Sequence, residues 1–483
     1  MIEKREFYIG GTWVAPAAPR DFAVIDPSTE EEVAVISLGD QADTDAAVAA
    51  AHAAFPAWAA LPMSARIAHL ERLYEAYEAR KEEMARAMSL EMGAPIDWAR
   101  GEQQGAGSWH LEDAIAQAKR FEQVRMLRPD APVDRIVMEP IGVVGMITPW
   151  NWPMNQVTLK VAFAAAVGCT MVLKPSEIAP LSSVLFAEMV DEAGWPAGVF
   201  NMVNGDGAGV GTQLSRHPDI DMISFTGSTR AGVAITKAAA DTLKRVSLEL
   251  GGKGANLIFA DADERAVRRG TRQVMNNTGQ SCNAPTRMLV ERSLYDEAVE
   301  IARQTADATK VASAHEQGRH IGPVVSEVQW TKIQGLIQKG IDEGARLVAG
   351  GVGRPEGLNR GYFVRPTVFA DVTNDMTIAR EEIFGPVLSI IPFDTEDEAV
   401  RIANDTPYGL TNYVQSGDGA RRARLARLLR SGMVEMNGRG RAQGSPFGGV
   451  KASGNGREGG AWGLDEFCEV KAVSGWPDEM AAE

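Results

Sequence analysis

The chain has 483 residues, of which 45% are hydrophobic and 23% are charged, and its formal net charge is -15. One hydrophobic core rarely organises more than about 300 residues, so we expect two main domains and little disorder. The negative charge disfavours nucleic acid and anionic membrane surfaces as partners, because both would repel the protein.

No segment predicts export, a membrane span, a disulfide scaffold or a metal site. The first residues carry four charges between Glu3 and Glu6 and lack the apolar core of a signal peptide. The longest apolar stretch, 161–173, is shorter than the roughly 20 residues that a membrane helix needs. The three cysteines include no CxxC pair, and only six histidines accompany them. We expect a cytoplasmic protein without a bound metal.

The first third of the chain predicts helices without obvious chemistry. An alanine-rich helical stretch runs from Asp43 to Phe55, and Ser64 is the predicted N-cap of a second helix. The segment 121–140 has little periodicity and contains Pro129 and Pro132, which indicates extended arms outside the main body.

From residue 141 the pattern changes to apolar strands that alternate with helices. Such alternation predicts parallel sheets, which bind ligands at the carboxyl ends of their strands. The first predicted sheet has strands at 141–148, 171–173, 199–203, 222–225 and 246–250. The second has strands at 288–290, 347–348, 388–392, 412–414 and 433–436, with one helix at 295–310. The alternating residues Phe467, Glu469 and Lys471 predict an edge strand.

Cys282 is the candidate nucleophile. It lies in the small and polar segment 279–287, after a helical stretch that ends near Asn277. A cysteine that packs for bulk has apolar neighbours, as Cys169 does, so Cys282 is interpreted as presented to a site. Exposed backbone N–H groups in a glycine-rich loop favour the nucleophilic thiolate. An inert loop cysteine is the alternative.

Two polar residues at strand ends are candidates to assist this thiol. Glu249 ends an apolar strand, and leucines on both sides would desolvate its carboxylate, raise its pKa and suit it to activate a water molecule. Asn151 lies in a turn between two prolines and two tryptophans, which could hold its amide for donation to an oxyanion. The alternatives are a solvated strand end and an ordinary turn asparagine.

Three turns after predicted strands could hold a dinucleotide. The segment 225–232 passes from a strand into a helix and offers backbone N–H groups to a pyrophosphate. The glycine-rich segment 205–211 is a second such turn, and 174–177 supplies a cation and a carboxylate for ribose hydroxyls. The literal GxGxxG motif at 454–459 has no apolar strand before it, so it is rejected as a dinucleotide fingerprint.

Seven motifs, in the same order over nearly the whole chain, resemble those of the aldehyde dehydrogenase superfamily. They are 148–153 (TPWNWP), 174–177 (KPSE), 225–228 (FTGS), 248–253 (LELGGK), 279–282 (GQSC), 381–386 (EEIFGP) and 446–449 (PFGG). The resemblance implies an α/β fold with two doubly wound parallel-sheet domains, one for the cofactor and one catalytic, plus a small oligomerisation element. It also implies a homodimer or homotetramer.

This resemblance divides the chain into three parts. Residues 1–118 and 141–250 form the expected dinucleotide-binding domain, and residues 251–452 form the expected catalytic domain. Residues 119–140 and 463–483 form the expected oligomerisation element.

The resemblance also implies a reaction, the oxidation of an aldehyde to a carboxylic acid with hydride transfer to NAD or NADP. Cys282 is the implied nucleophile, Glu249 the base for thioester hydrolysis, and Asn151 part of the oxyanion hole with the Cys282 N–H. Lys160 and Glu458 match positions that assist proton handling. The implied cofactor contacts are Ile147, Thr148, Trp150, Lys174, Ser176, Glu177, Gly207, Gly211, Phe225, Gly227, Ser228, Leu250, Gln329, Glu382 and Phe384. The implied substrate contacts are Trp152, Ser281, Asn283 and Phe447.

Cofactor and substrate choice depend on a few side chains. Glu177 favours NAD, because a carboxylate at the adenosine ribose would repel the 2′-phosphate of NADP. Trp152 stands where the family often has phenylalanine, and Asn283 follows the nucleophile, so both affect specificity. Arg439 and Arg441 lie close to the expected substrate tunnel, and we hypothesise that one of them pairs with a distant carboxylate of the aldehyde. Two solvated surface arginines are the alternative.

Two other functions remain open from the sequence. An acylating dehydrogenase would pass the acyl group to coenzyme A, but thiolysis needs no water-activating carboxylate at Glu249. A binding or structural protein on the same fold would have lost catalysis, although Cys282, Glu249 and Asn151 are all intact.

Overall fold

The computed structural model describes residues 1–477, and two seven-stranded, mainly parallel sheets dominate it. Helices pack against both sheets. The predicted α/β class with two parallel-sheet domains is therefore confirmed. The last residues of the expected oligomerisation element, 478–483, lie outside the described part of the chain.

The first sheet is built around the strand Val143–Ile147, whose five residues are all buried. The next two strands along the chain lie on one side of it and the following two on the other, so the strand order reverses here. Such a switch point opens a crevice at the carboxyl ends of the strands. In spatial order the strands are Arg245–Glu249, Met222–Thr226, Val143–Ile147, Thr170–Lys174, Phe200–Met202, Phe7–Ile9 and Thr12–Val14.

The second sheet has six parallel strands and one antiparallel edge strand. The segment that contains Cys282 leads into its strand Arg287–Glu291. In spatial order the strands are Arg346–Ala349, Thr367–Ala370, Val387–Phe393, Arg287–Glu291, Ala255–Ile258, Thr411–Gln415 and Met433–Met436. Two of these strands, Ala255–Ile258 and Thr367–Ala370, were not predicted.

The remaining strands form two three-stranded sheets. One contains Ile2–Lys4, Glu31–Ser37 and Asp21–Asp26, in that order. The other is antiparallel and contains Cys468–Ser474, Ala131–Pro140 and Val124–Arg128, in that order. The predicted edge strand at the end of the chain and the predicted extended arms thus form one sheet.

The helices agree with the predicted pattern except at some ends. The first helix starts at an Asp40 capping box, but the second starts after Pro62 without a side-chain cap, so the prediction of Ser64 as N-cap is wrong. The α-helices are Gln41–Ala59, Met63–Ala79, Lys81–Met92, Ile96–Trp98, Gln104–Ala118, Pro153–Val167, Leu181–Glu192, Thr212–Arg216, Thr229–Ala239, Ala266–Met275, Tyr295–Asp307, Glu327–Asp342, Thr377–Arg380, Glu396–Asn404, Gly419–Leu428 and Gly460–Glu466. Within residues 1–477 no helix combines the length and apolar character needed to cross a membrane.

Candidate active site

A constrained turn presents Cys282. Asn277 and Thr278 both have a positive φ, which costs free energy for residues with a side chain. Gly279 follows with φ +73°, and a Cβ at this position would come within 2.0 Å of the Gly385 carbonyl oxygen. Hydrogen bonds hold the strained residues, since Thr278 Oγ1 donates to the Gly322 carbonyl at 3.1 Å. The backbone before Cys282 is therefore fixed rather than flexible.

Cys282 is a partly exposed residue with a free thiol. Burial, followed by the charges of Glu382 and Glu249, raises the pKa of the thiol to about 12. The backbone N–H groups of Cys282 and Asn283 act in the opposite direction but do not outweigh these effects. The direction of this pKa shift is opposite to the expected preference for the thiolate, because burial and the closeness of the two carboxyl groups depend on contacts that the sequence does not show.

Asn151 is locked against the turn that carries the thiol. Its Nδ2 donates to the Gln280 carbonyl at 3.0 Å, two residues before Cys282. Its own carbonyl accepts from Gln103 Nε2 and from Asn277 Nδ2, both at 3.0 Å. A side-chain amide has two N–H donors, so one remains available for a bound oxygen.

Glu249 ends the strand Arg245–Glu249 and is only 2% exposed. Neither carboxylate oxygen has a hydrogen-bond partner among the described residues. Burial, followed by the charge of Glu458, raises the pKa of Glu249 well above its usual value. The predicted desolvation is present, but its source differs: Gly448 and Gly456 enclose the carboxylate so closely that a Cβ would come within 2.6 Å and 3.1 Å of Oε1.

Lys160 and Glu458 form a buried ion pair beside Glu249. Lys160 lies on the helix Pro153–Val167, and Glu458 pairs in an isolated bridge with Phe447. The second oxygen of Glu458 has no partner among the described residues. The GxGxxG segment reaches the site from the far end of the chain, because Gly454 forms an antiparallel bridge with Glu249. It lines the carboxylate site and is not a strand-to-helix phosphate turn.

The crevice of the first sheet has the features of a dinucleotide site. The N-terminus of the helix Thr229–Ala239 follows Ser228, its N-cap, and Thr226 Oγ1 nearby is buried without a partner among the described residues. Lys174 Nζ is buried and contacts Glu177 at 3.2 Å, and burial lowers the pKa of this lysine. An ammonium, a half-exposed carboxylate and free helix N–H groups fit ribose hydroxyls and a pyrophosphate.

The other predicted cofactor contacts lie on neighbouring turns. Glu382 Oε1 accepts from the Gly252 N–H at 2.8 Å, and Phe384 meets Trp150 edge to face at 5.5 Å. Gln329 lies in the first turn of Glu327–Asp342, the helix that contacts the Glu382 carbonyl through Lys332. Ile147, Thr148, Ser176, Phe225, Gly227 and Leu250 follow or end strands of the first sheet, and Gly207 and Gly211 bound a helical turn after Phe200–Met202.

The predicted substrate contacts make hydrogen bonds and ring contacts with other residues. Trp152 Nε1 donates to Ser281 Oγ at 2.8 Å, and Tyr413 donates to the Asn283 carbonyl. The Arg441 guanidinium lies 4.7 Å from the centre of the Phe447 ring. Trp152 is thus linked to Ser281, the neighbour of Cys282 in the chain.

The two arginines of this loop differ. Arg439 is exposed, as the alternative of a solvated arginine predicted. Arg441 is half-buried, and its Nε lies 3.8 Å from Glu435. Burial lowers the pKa of Arg441, whereas Glu435 and then Tyr413, Cys282 and Glu249 raise it. Arg441 is therefore the arginine whose charge interacts with those of Cys282 and Glu249.

The sequence reasoning missed three residues. Gln103 and Trp98 come from the helical region without expected chemistry, yet Gln103 holds Asn151 and Trp98 packs 6.2 Å from Trp152. Lys253 is 2% exposed, and its Nζ has no partner among the described residues. Burial, followed by the charge of Arg287, lowers the pKa of Lys253 to about 7. Only Lys253 had a signal, as the last residue of the LELGGK motif.

Comparisons with known proteins agree with this geometry. The model of the aldehyde dehydrogenase family matches residues 13–473. A 3-succinoylsemialdehyde-pyridine dehydrogenase from Pseudomonas sp is 50% identical over 99% of both chains. A crystal structure of an aldehyde dehydrogenase from Bartonella henselae is 59% identical, with a TM-score of 0.98 over 99% of this chain and 100% of the other. A mutant of aldehyde dehydrogenase C from Pseudomonas syringae, in complex with NAD+ and octanal, is 48% identical, with a TM-score of 0.96 over 98% and 97%.

These findings confirm the predicted superfamily, the predicted fold and the predicted class of reaction. The chain belongs to the aldehyde dehydrogenase family, whose members are oxidoreductases that use NAD(P) to oxidise aldehydes.

Proposed function

We propose that this enzyme oxidises its aldehyde through a covalent intermediate on Cys282 and releases it as a carboxylic acid with water activated by Glu249. The observation that carries the proposal is the buried Glu249 carboxylate, which has no protein partner among the described residues and whose charge acts on the thiol. A carboxylate kept dry and free of hydrogen bonds has a raised pKa, which is what a general base near neutral pH requires.

The first half of the reaction uses Cys282 and Asn151. The thiol gives its proton to solvent water, sulfur attacks the aldehyde carbon, and the electron pair of the C=O π bond moves to the oxygen, which becomes an oxyanion. The free N–H of Asn151 and the backbone N–H of Cys282 are the proposed donors to it. NAD(P), when bound, supplies the hydride acceptor. Loss of hydride from the tetrahedral adduct leaves a thioester on Cys282.

The second half uses Glu249. The carboxylate takes a proton from water, the water oxygen attacks the thioester carbonyl, and the Cys282 sulfur leaves. The proton passes on towards Glu458 and Lys160, whose ion pair lies beside Glu249. This use of Glu249 favours hydrolysis over transfer to coenzyme A, which needs no base for water.

The crevice of the first sheet is the proposed cofactor site, and NAD is the proposed cofactor. Glu177 lies close to Lys174, where a carboxylate would repel a 2′-phosphate. The Pseudomonas syringae relative is in complex with NAD+, which supports the choice. Trp152, Ser281, Asn283 and Phe447 are the proposed contacts of the aldehyde.

The three-stranded sheet Val124–Arg128, Ala131–Pro140 and Cys468–Ser474 is the proposed oligomerisation element. It exposes large apolar side chains, and apolar side chains grouped on one surface are typical of interfaces. These are Val124, Met126, Leu127, Val133 and Val470. A homodimer or homotetramer in the cytoplasm is the proposed state, with the cofactor domain at 1–118 and 141–250 and the catalytic domain at 251–452.

Absorbance of the reduced nicotinamide tests the proposed function. The wild type and Cys282→Ala are assayed with NAD or NADP and a panel of aldehydes, without coenzyme A. We expect turnover with NAD that disappears in the variant. Turnover that survives in Cys282→Ala, or that requires coenzyme A, would contradict the mechanism, and failure of the wild type to bind either nicotinamide would support the catalytically silent alternative.

A further inference from the structure

A cleft of about 880 Å³ opens on the protein surface beside the turn that carries Cys282. One wall is formed by residues 95–102, and the other by the helix Ala266–Met275 and the ends of two later segments. Its volume lies within the range of small-molecule sites. The cleft is therefore large enough for a substrate to enter.

The cleft reaches the reacting groups through two contacts. Its lining includes Asn277 and Thr278, and Asn277 Nδ2 donates to the carbonyls of Asn151 and Gln280. Its lining also includes Trp98, which packs against Trp152. Trp152 in turn is hydrogen-bonded to Ser281, the neighbour of Cys282. The cleft thus ends against the residues that hold the nucleophile.

The charge of the cleft is opposite to that of the protein. Arg268, Arg272 and Arg319 line it and form no hydrogen bond or ion pair through their side chains with any residue in 1–477. Of the two acidic residues in the lining, Asp97 is paired with Arg100, and only Glu102 is without such a partner. Three free guanidinium groups against one free carboxylate stand out in a chain with a net charge of -15.

Guanidinium groups bind carboxylates through paired hydrogen bonds, and a cleft with charge of one sign concentrates ligands of the other sign. Arg441, nearer the thiol, is less suited to this task because Glu435 already lies 3.8 Å from it. We propose that this basic cleft captures the carboxylate of anionic aldehydes and thereby makes the enzyme selective for aldehydes with a distant carboxylate. The inference rests on the proposed function, since it names the substrate class of the same site.

The test compares 6-oxohexanoate with its methyl ester, which has an equivalent reactive aldehyde without the charge. We expect the wild type to favour the acid by about tenfold in kcat/KM at low salt, and the preference to shrink as salt screens the charges. Arg268→Gln/Arg272→Gln should remove most of the preference by raising KM for the acid, with kcat and ester oxidation unchanged. Glu102→Gln should increase the preference.

The matched control is Arg427→Gln/Arg430→Gln, which removes two exposed arginines outside the cleft lining. An acid preference that is unchanged in the cleft variant, or reduced equally in the control, would overturn the proposal. Calorimetric binding of glutarate to Cys282→Ala gives a readout without turnover. Glutarate binding that survives Arg268→Gln/Arg272→Gln also overturns the proposal. Failure of the wild type to oxidise any aldehyde would instead refute the proposed function and leave the glutarate binding result intact.

Discussion

The substitution Glu249→Gln separates the two halves of the proposed reaction. Glu249 is 2% exposed and neither of its oxygens has a partner among the described residues, so an amide of the same shape breaks no hydrogen bond. The change also removes a carboxyl group whose ionised form is disfavoured by burial and by Glu458. We therefore expect the melting temperature to stay unchanged or to rise.

The expected effect of Glu249→Gln on the rate is large and confined to the second half of the reaction, the hydrolysis of the thioester. General bases contribute roughly 10²–10⁴-fold to a rate, so the steady-state kcat should fall by that factor, or about 3 to 5 kcal/mol in activation free energy. Acylation uses Cys282 and Asn151, which the substitution leaves in place, and loss of the Glu249 charge removes one cause of the raised pKa of the thiol, so acylation should not slow. Rapid mixing of enzyme, NAD and aldehyde should therefore show a burst of about one reduced nicotinamide per Cys282, followed by slow turnover.

Glu466→Gln is the matched control, because burial also raises the pKa of Glu466 and its charge contributes to the shift of Glu249. This variant should keep both phases. Loss of the burst in Glu249→Gln would refute the reasoning, since it would mean that the carboxylate activates the thiol instead of water.

In the wild type, the steady-state rate should rise with pH through the raised pKa of Glu249, because only the ionised carboxylate accepts a proton.

Three further results follow from the structure. Because the pKa of the Cys282 thiol is raised to about 12, its alkylation by iodoacetamide without cofactor should accelerate about tenfold per pH unit between pH 7 and 9. A plateau of the alkylation rate near pH 8 would contradict this pKa. Burial lowers the pKa of Lys253 to about 7. Above pH 7 the folded state therefore binds fewer protons than the unfolded state. The contribution of Lys253 to the free energy of unfolding should rise by about 2 kcal/mol from pH 7 to 9. Denaturation of Lys253→Met should lack this rise, whereas Lys237→Met, an exposed control, should keep it. Val470→Asp, at a side chain that is 65% exposed in the small sheet, should lower the mass measured by light scattering, and an unchanged mass would contradict the proposed oligomerisation element.

Glu249 and Asn151 could be predicted as candidates because their signals are local. Glu249 ends an apolar strand, and Asn151 follows one, so the sequence pattern already places both at the carboxyl edge of a parallel sheet. Cys282 stood out through its polar neighbours. The two sheets were predictable for a similar reason, since buried parallel strands are continuous apolar runs.

The surroundings of these residues depend on contacts that are distant in sequence. Glu249 is enclosed by Gly448 and Gly456, and Asn151 is held by Gln103. No local pattern could show these contacts, because helices and loops meet only when the whole chain packs. The direction of the Cys282 pKa shift was missed for the same reason.

The sequence by itself determined the family and the class of fold and singled out Cys282, Glu249 and Asn151 as candidates, because each depends on short motifs and on the alternation of apolar strands with helices. Only the tertiary structure decided that Arg441 and not Arg439 is half-buried with its charge acting on the thiol, and that burial and two carboxyl groups raise the pKa of this thiol. It also decided that three arginine side chains meet in one cleft near the turn that carries Cys282. Burial and charge at a site are sums over all neighbours in space, and the order of residues along the chain does not contain those distances.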